Sequence, residues 1–113
     1  MSRPAIKDDN LYDLLRRGEI AQFNQARREG APCDLCGADL RGADLREIDP
    51  RGLDLSDAYL RQADLRGLDL RETRLDGASI YGAKISGAYF PAALSADEIT
   101  LSLLHGTRLR YGA

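Results

Sequence analysis

The apolar positions along this chain change period twice. Between residues 10 and 29 they fall as Leu11, Leu14 and Leu15, then Ile20, Phe23 and Ala26. Spacings of three and four mark one face of a helix. Asp9 or Asn10 can cap a first short helix, Gly18 breaks it, and a second is predicted from about Glu19 to Glu29 with Gly30 as its stop. From Cys33 to Ala92 the period becomes five, in an unbroken run of 12 units: CDLCG, ADLRG, ADLRE, IDPRG, LDLSD, AYLRQ, ADLRG, LDLRE, TRLDG, ASIYG, AKISG and AYFPA. Each has a bulky centre (Leu35, Leu40, Leu45, Pro50, Leu55, Leu60, Leu65, Leu70, Leu75, Ile80, Ile85 and Phe90) and a mostly small apolar residue two before it. Beyond the run, Ser95-Ala96-Asp97-Glu98 has the form of a capping box, which predicts a third helix over 96–104 ending at Gly106. Residues 107–113 are expected to be extended or loose.

A period of five matches neither the 3.6 of a helix nor the 2.0 of a strand. Two apolar positions per five need a backbone that turns once per unit, and glycine at the fifth place, as at Gly37, Gly42 and Gly67, suits such a turn. Coils of such turns stack at about 4.8 Å, so the period predicts a solenoid in which each coil bonds only to its neighbours.

These units resemble the pentapeptide-repeat family, with its A-(D/N)-L-x-x consensus. The resemblance covers 60 of the 113 residues. It implies an all-β solenoid, a right-handed quadrilateral β-helix of three coils, each of twenty residues. Residues twenty apart then stack in columns, among them Leu45, Leu65 and Ile85. Pro50 departs from the consensus and removes a backbone donor, so its neighbourhood is the expected irregularity. Raw ends of a solenoid need caps. The expected organisation is therefore a helical N-terminal cap over 1–31, the repeat over 32–92, and a capping helix with its tail over 93–113.

Composition narrows the reading. Lys and Arg number 16 against 18 Asp and Glu, a formal net charge of -2, which does not suit a general nucleic-acid binder. Arg3 and Lys7 have no apolar run behind them, and no window is apolar enough to span a membrane, so a cytoplasmic location without membrane contact is expected. Cys33 and Cys36 form a C-x-x-C without a second pair, and the expected register turns one inward and the other outward. No metal site, cofactor or disulfide is expected. Ser79, Ser86, Ser95 and Ser102 have no histidine partner at hand, and the glycines fall at period five rather than in a phosphate loop. No catalytic residue is expected, and the chain reads as a non-enzyme.

What remains is surface. Asp stands before the centre in seven units (Asp34, Asp39, Asp44, Asp49, Asp54, Asp64, Asp69) and Arg after it in six (Arg41, Arg46, Arg51, Arg61, Arg66, Arg71), which reads as a charge-balanced face. Tyr59 takes an Asp position and Tyr81 follows Arg41 and Arg61, so Tyr59, Arg61, Tyr81 and Arg41 are the candidate contacts for a protein partner. On the third helix Ala96, Ile99 and Leu103 share a face, while Leu101 and Leu104 lie off it. Either the tail, through Leu109 and Tyr111, covers that pair, or a second chain does, as a homodimer. The resemblance leans toward dimerisation, since gyrase-binding relatives pair through their C-terminal ends. It also raises DNA gyrase as a partner, because some relatives mimic duplex DNA and protect that enzyme. Two sequence features oppose that reading: three layers reach only about 14 Å, and residues 32–92 carry 8 positive and 11 negative side chains, a net of -3. Direct nucleic-acid binding is not expected. The leading expectation is a small protein-interaction scaffold.

Overall fold

The structure, a computed structural model, describes residues 10–113. It contains α1 (Asn10–Arg16), α2 (Ile20–Arg28) and α3 (Ala96–His105). Asn10 is the first residue of α1 rather than its cap, and Asp9, Arg3 and Lys7 lie outside the described residues. Phe23 of α2 is fully buried, with Ile20 and Ala26 packed beside it on the core. No helix among the described residues is long and apolar enough to cross a membrane.

The expectation of an all-β solenoid, a right-handed quadrilateral β-helix of three coils, is corrected here. Among the described residues there is no strand and no sheet, and the three short helices are the only regular elements. Pairing of strand type is confined to isolated parallel bridges, among them Asp39 with Tyr59, Tyr59 with Ser79, Asp44 with Asp64 and Asp64 with Lys84. The reason lies in the five-residue period. A strand needs consecutive extended residues, and here a tight turn intervenes in every unit before a second bridge can form.

Between residues 33 and 92 the chain is nonetheless laid down with a twenty-residue offset. The N–H of a unit's centre donates to the carbonyl nineteen residues on: Leu40 to Tyr59 at 3.0 Å, Leu60 to Ser79 at 2.8 Å, Leu65 to Lys84 at 2.8 Å. Pro50 cannot make this bond, and no bridge joins Asp49 to Asp69, which pairs instead with Tyr89 of the next tier. The Pro50 carbonyl instead accepts from the buried Thr73 hydroxyl at 2.7 Å. The centres from Leu35 to Ile80 are buried, with Ala38, Ala58, Ala63 and Ala78 between them.

The two ends are sealed with opposite chemistry. Toward α1 and α2 mainly carbonyls are left over. Tyr12 Oη donates to Asp39 O at 2.8 Å, Arg16 to Arg41 O at 2.9 Å, Asn24 to Glu47 O at 2.9 Å, and Arg27 to Arg51 O at 2.8 Å. Toward α3 mainly N–H groups are left over. Ile80 N donates to Ser102 Oγ at 3.1 Å and Gly82 N to Leu103 O at 3.0 Å.

Residues 107–113 are not loose. Gly77 N donates to Leu109 O at 2.7 Å, Leu109 N to Ala78 O at 2.8 Å, and Leu75 N to Tyr111 Oη at 2.9 Å. The tail therefore closes the end beside α3, with Leu109 only 1% exposed.

Leu65 is buried midway along its column. A carboxylate there would lose hydration without gaining a partner, at a cost on the order of several kcal/mol, comparable to the whole stability of a small domain. Leu65→Asp is expected to abolish the cooperative thermal transition followed by circular dichroism, and a melt near the wild-type temperature would contradict this packing.

Candidate functional site

One local device recurs on the outward surface, in five of the twelve units. In the pairs Asp39/Arg41, Asp44/Arg46, Asp49/Arg51, Asp64/Arg66 and Asp69/Arg71, the carboxylate accepts the arginine's backbone N–H and both ends of its guanidinium. The turn sets Asp and Arg two residues apart on one side, which permits the fork. Arg46 also reaches Asp64 of the next tier at 3.4 Å. The hydrogen bonds from Arg66 and Arg71 hold the carboxyls of Asp64 and Asp69 down at about 2. Charge balance thus arises mainly within units. Arg41, an expected partner contact, is engaged by Asp39 at 2.8 Å.

The unit from Ala58 to Gln62 breaks this device. Tyr59 stands where Asp stands in those pairs, and Arg61 forms no ion pair among the described residues. The Arg61 guanidinium lies over the Tyr81 ring, 5.4 Å from its centre. It also runs beside Gly106, the left-handed C-cap of α3, where a Cβ would come within 2.9 Å of Arg61 Nη2. A cation suits that helix end. Tyr81 is 42% exposed. Tyr59 is half-buried: the tail's Arg108 lies over its ring at 5.2 Å and donates to its hydroxyl at 2.7 Å. Tyr59, Arg61 and Tyr81 therefore share one face, and Arg41 stands one tier away in the same column.

Two strained residues bracket that face. Asp57 (φ 61) and Gln62 (φ 59) are the non-glycine residues with positive φ among the described residues. Both occupy the fifth place of their unit. Glu47 and Glu72 occupy the same place without positive φ, so the substitution alone does not dictate the strain. Asp57 leans over Gly77, where a Cβ would fall 1.9 Å from Asp57 Oδ1 and push that carboxylate aside.

Cys33 and Cys36 diverge, one inward and one outward, as the expected register has them. Cys33 is half-buried against the core and Cys36 is exposed, its thiol bonded to the Asp54 carboxylate. Leu101 and Leu104 remain 39% and 60% exposed, so the tail does not cover them. It lies on the other side of a groove lined by Leu101, Thr107, Arg108 and Arg110. Only half of the capping box forms. Ser95 Oγ accepts from Glu98 N at 3.1 Å, while the Glu98 carboxylate, 2% exposed, turns to the tail. It accepts from Arg110 N at 3.0 Å, Nε at 2.9 Å and Nη2 at 3.0 Å, and this keeps its carboxyl below the ordinary glutamate range. The pairing of Glu98 with Arg110 has no signal in the sequence, because a capping box explains Glu98 fully.

The family model of pentapeptide repeats matches residues 54–90, in 8 copies. Residues 54–90 are pentapeptide repeats. The matched pentapeptide repeats include the whole strained face, from Asp57 to Tyr81. Cys33 to Leu53, which carry the same period through Pro50, lie outside the match. No curated protein and no solved structure matches the chain.

The aspartates of these pairs titrate lower folded than unfolded, so they favour the folded state above about pH 4 and lose that contribution as pH falls toward about 2. Melting temperature is expected to hold from neutrality to about pH 4 and to fall below it, less steeply at high salt. A salt-independent melt with no acid limb would contradict this role of the pairs.

Proposed function

We propose that this repeat protein is a small, non-catalytic interaction scaffold of the cytoplasm, and that it meets a protein partner through the face carrying Tyr59, Arg61 and Tyr81. The observation that carries the reading is the pair of left-handed residues, Asp57 and Gln62, on either side of that face. Such a conformation costs a non-glycine residue about 1 kcal/mol or more, and strain of this kind collects at functional sites. Seven other units place glycine at this position, so the scaffold itself does not require Asp or Gln there. Tyrosine and arginine are also the side chains most often found anchoring interfaces.

The alternative of a DNA-mimicking gyrase ligand finds less support. Mimicry needs unpaired acid along a rod, and the carboxylates of the Asp-Arg pairs are each forked to an arginine. The exposed pair Leu101 and Leu104 favours a second contact, a homodimer through α3.

Gln62→Gly is expected to raise stability by about 1 kcal/mol, and Asp57→Gly by less, because Asp tolerates the left-handed region better. Tyr59→Ala combined with Tyr81→Ala is expected to abolish partner capture from cytoplasmic extract while leaving a cooperative melt. Capture unchanged by the double substitution would reject this face. Light scattering at high concentration is expected to give about twice the 12.4 kDa chain mass, reduced to one chain by Leu101→Asp with Leu104→Asp. A wild-type particle of 12.4 kDa would leave α3 without this role.

A further inference from the structure

Of the six arginines that directly follow a unit centre, five are forked by the aspartate two residues before them, at 2.7 to 3.1 Å. Arg61 is the sixth, and Tyr59 stands in its aspartate's place. Its guanidinium makes no hydrogen bond and no ion pair among the described residues. The acids of the same face are engaged elsewhere: Asp39 by Arg41 at 2.8 Å, while Asp57 lies 3.9 Å from Arg108. Carbonyls at the end of α3 are engaged too. Ser102 O accepts from Gly106 N at 2.9 Å, and Leu103 O from Gly82 N at 3.0 Å. The guanidinium is nonetheless held in place. It lies over the Tyr81 ring and fills the space that a Cβ at Gly106 would need. Arg61 is thus an exposed, positioned fork whose donors are open.

We propose that this fork receives the carboxylate of an acidic side chain on the protein partner, an Asp or Glu set between apolar residues. Such a ligand presupposes that the Tyr59–Tyr81 face is the contact surface. The five sister forks show that a carboxylate fits an arginine in this register. Two parallel N–H donors match its two oxygens. An ion pair left open to water contributes little. Apolar neighbours on the partner change that, because Tyr81, 42% exposed, offers a surface on which they exclude water from around the pair. The stack on Tyr81 also orders the guanidinium before the partner arrives, which lowers the entropic cost of binding. A phosphate dianion suits the seat less well, since Asp39 and Asp57 on the same face repel the second negative charge.

The test titrates acetyl-Leu-Glu-Leu-amide into the whole chain while the Arg61 Nε–H and Tyr81 ring resonances are followed. Saturable shifts are expected at both, at millimolar peptide, and weaker binding at high salt. Glutamine in place of the peptide's glutamate is expected to weaken binding about tenfold or more. Arg61→Lys keeps the charge and loses the fork, and is expected to cost about tenfold, read at the Tyr81 ring. Arg61→Glu is expected to lose the glutamate peptide and to bind acetyl-Leu-Lys-Leu-amide instead. Glutamate and glutamine peptides that bind alike, or no saturable shift in a chain that melts cooperatively, would overturn the proposal. Inorganic phosphate that shifts Arg61 at lower concentration than the peptide would assign the seat to phosphate and overturn it as well. Partner capture lost with Tyr59→Ala and Tyr81→Ala but kept with Arg61→Gln would remove the carboxylate and leave the face. Capture that survives the tyrosine pair would remove the face itself.

Discussion

The bond from one tier's N–H to the carbonyl nineteen residues on is the interaction on which the rest of this molecule depends. Bonds in this direction outnumber those that run back, such as Tyr59 N to Ala38 O at 2.9 Å. One end of the stack is therefore left mainly with carbonyls and the other mainly with N–H groups. The helical cap answers the first with donors, through Tyr12, Arg16, Asn24 and Arg27. The far end is answered with acceptors, through Ser102, Leu103, Leu109 and Tyr111. The ends are unequal as surfaces too: the first is closed by two helices, the second by α3 and a tail held through Leu109, the Glu98–Arg110 fork, Arg108 and Tyr111.

The same tight geometry organises the exterior. A turn every five residues brings side chains two apart to one side, and the Asp-Arg forks neutralise charge where it arises. A surface treated this way offers little to a partner, since its arginines and carboxylates are already engaged. Against that background the unit from Ala58 to Gln62 differs in every outward respect. Its Asp position holds a tyrosine, its arginine meets no carboxylate among the described residues, and left-handed non-glycine residues stand on both sides. The departures fall together, and they fall where α3 and the tail also arrive, through Gly106 and Arg108. The contact face and the seat of the tail are neighbours around this unit, one of the seven that lack the Asp-Arg fork.

Much of this is legible from residues alone. The period of five specifies a turning repeat with an interior of leucine and alanine, the family resemblance supplies the twenty-residue coil, and the three-and-four spacing and the Ser95–Glu98 box mark the end helices. Pro50 can be read as a gap in the bonding, since proline has no N–H under any fold. The sequence does not specify whether extended stretches would be long enough to count as strands, and single bridges are what the turns leave room for. It also cannot separate Asp57 and Gln62 from Glu47 and Glu72, which replace the same glycine without the strain; neighbours from other tiers, such as Gly77 beneath Asp57, accompany the difference. Glu98 satisfied a local motif and so concealed its long-range partner. Local periodicity determined the repeat and its buried face, because each unit needs only its own five residues to turn. Tertiary structure decided the caps, the strained face and the seat of the tail, because those rest on hydrogen bonds between groups 12 to 49 residues apart.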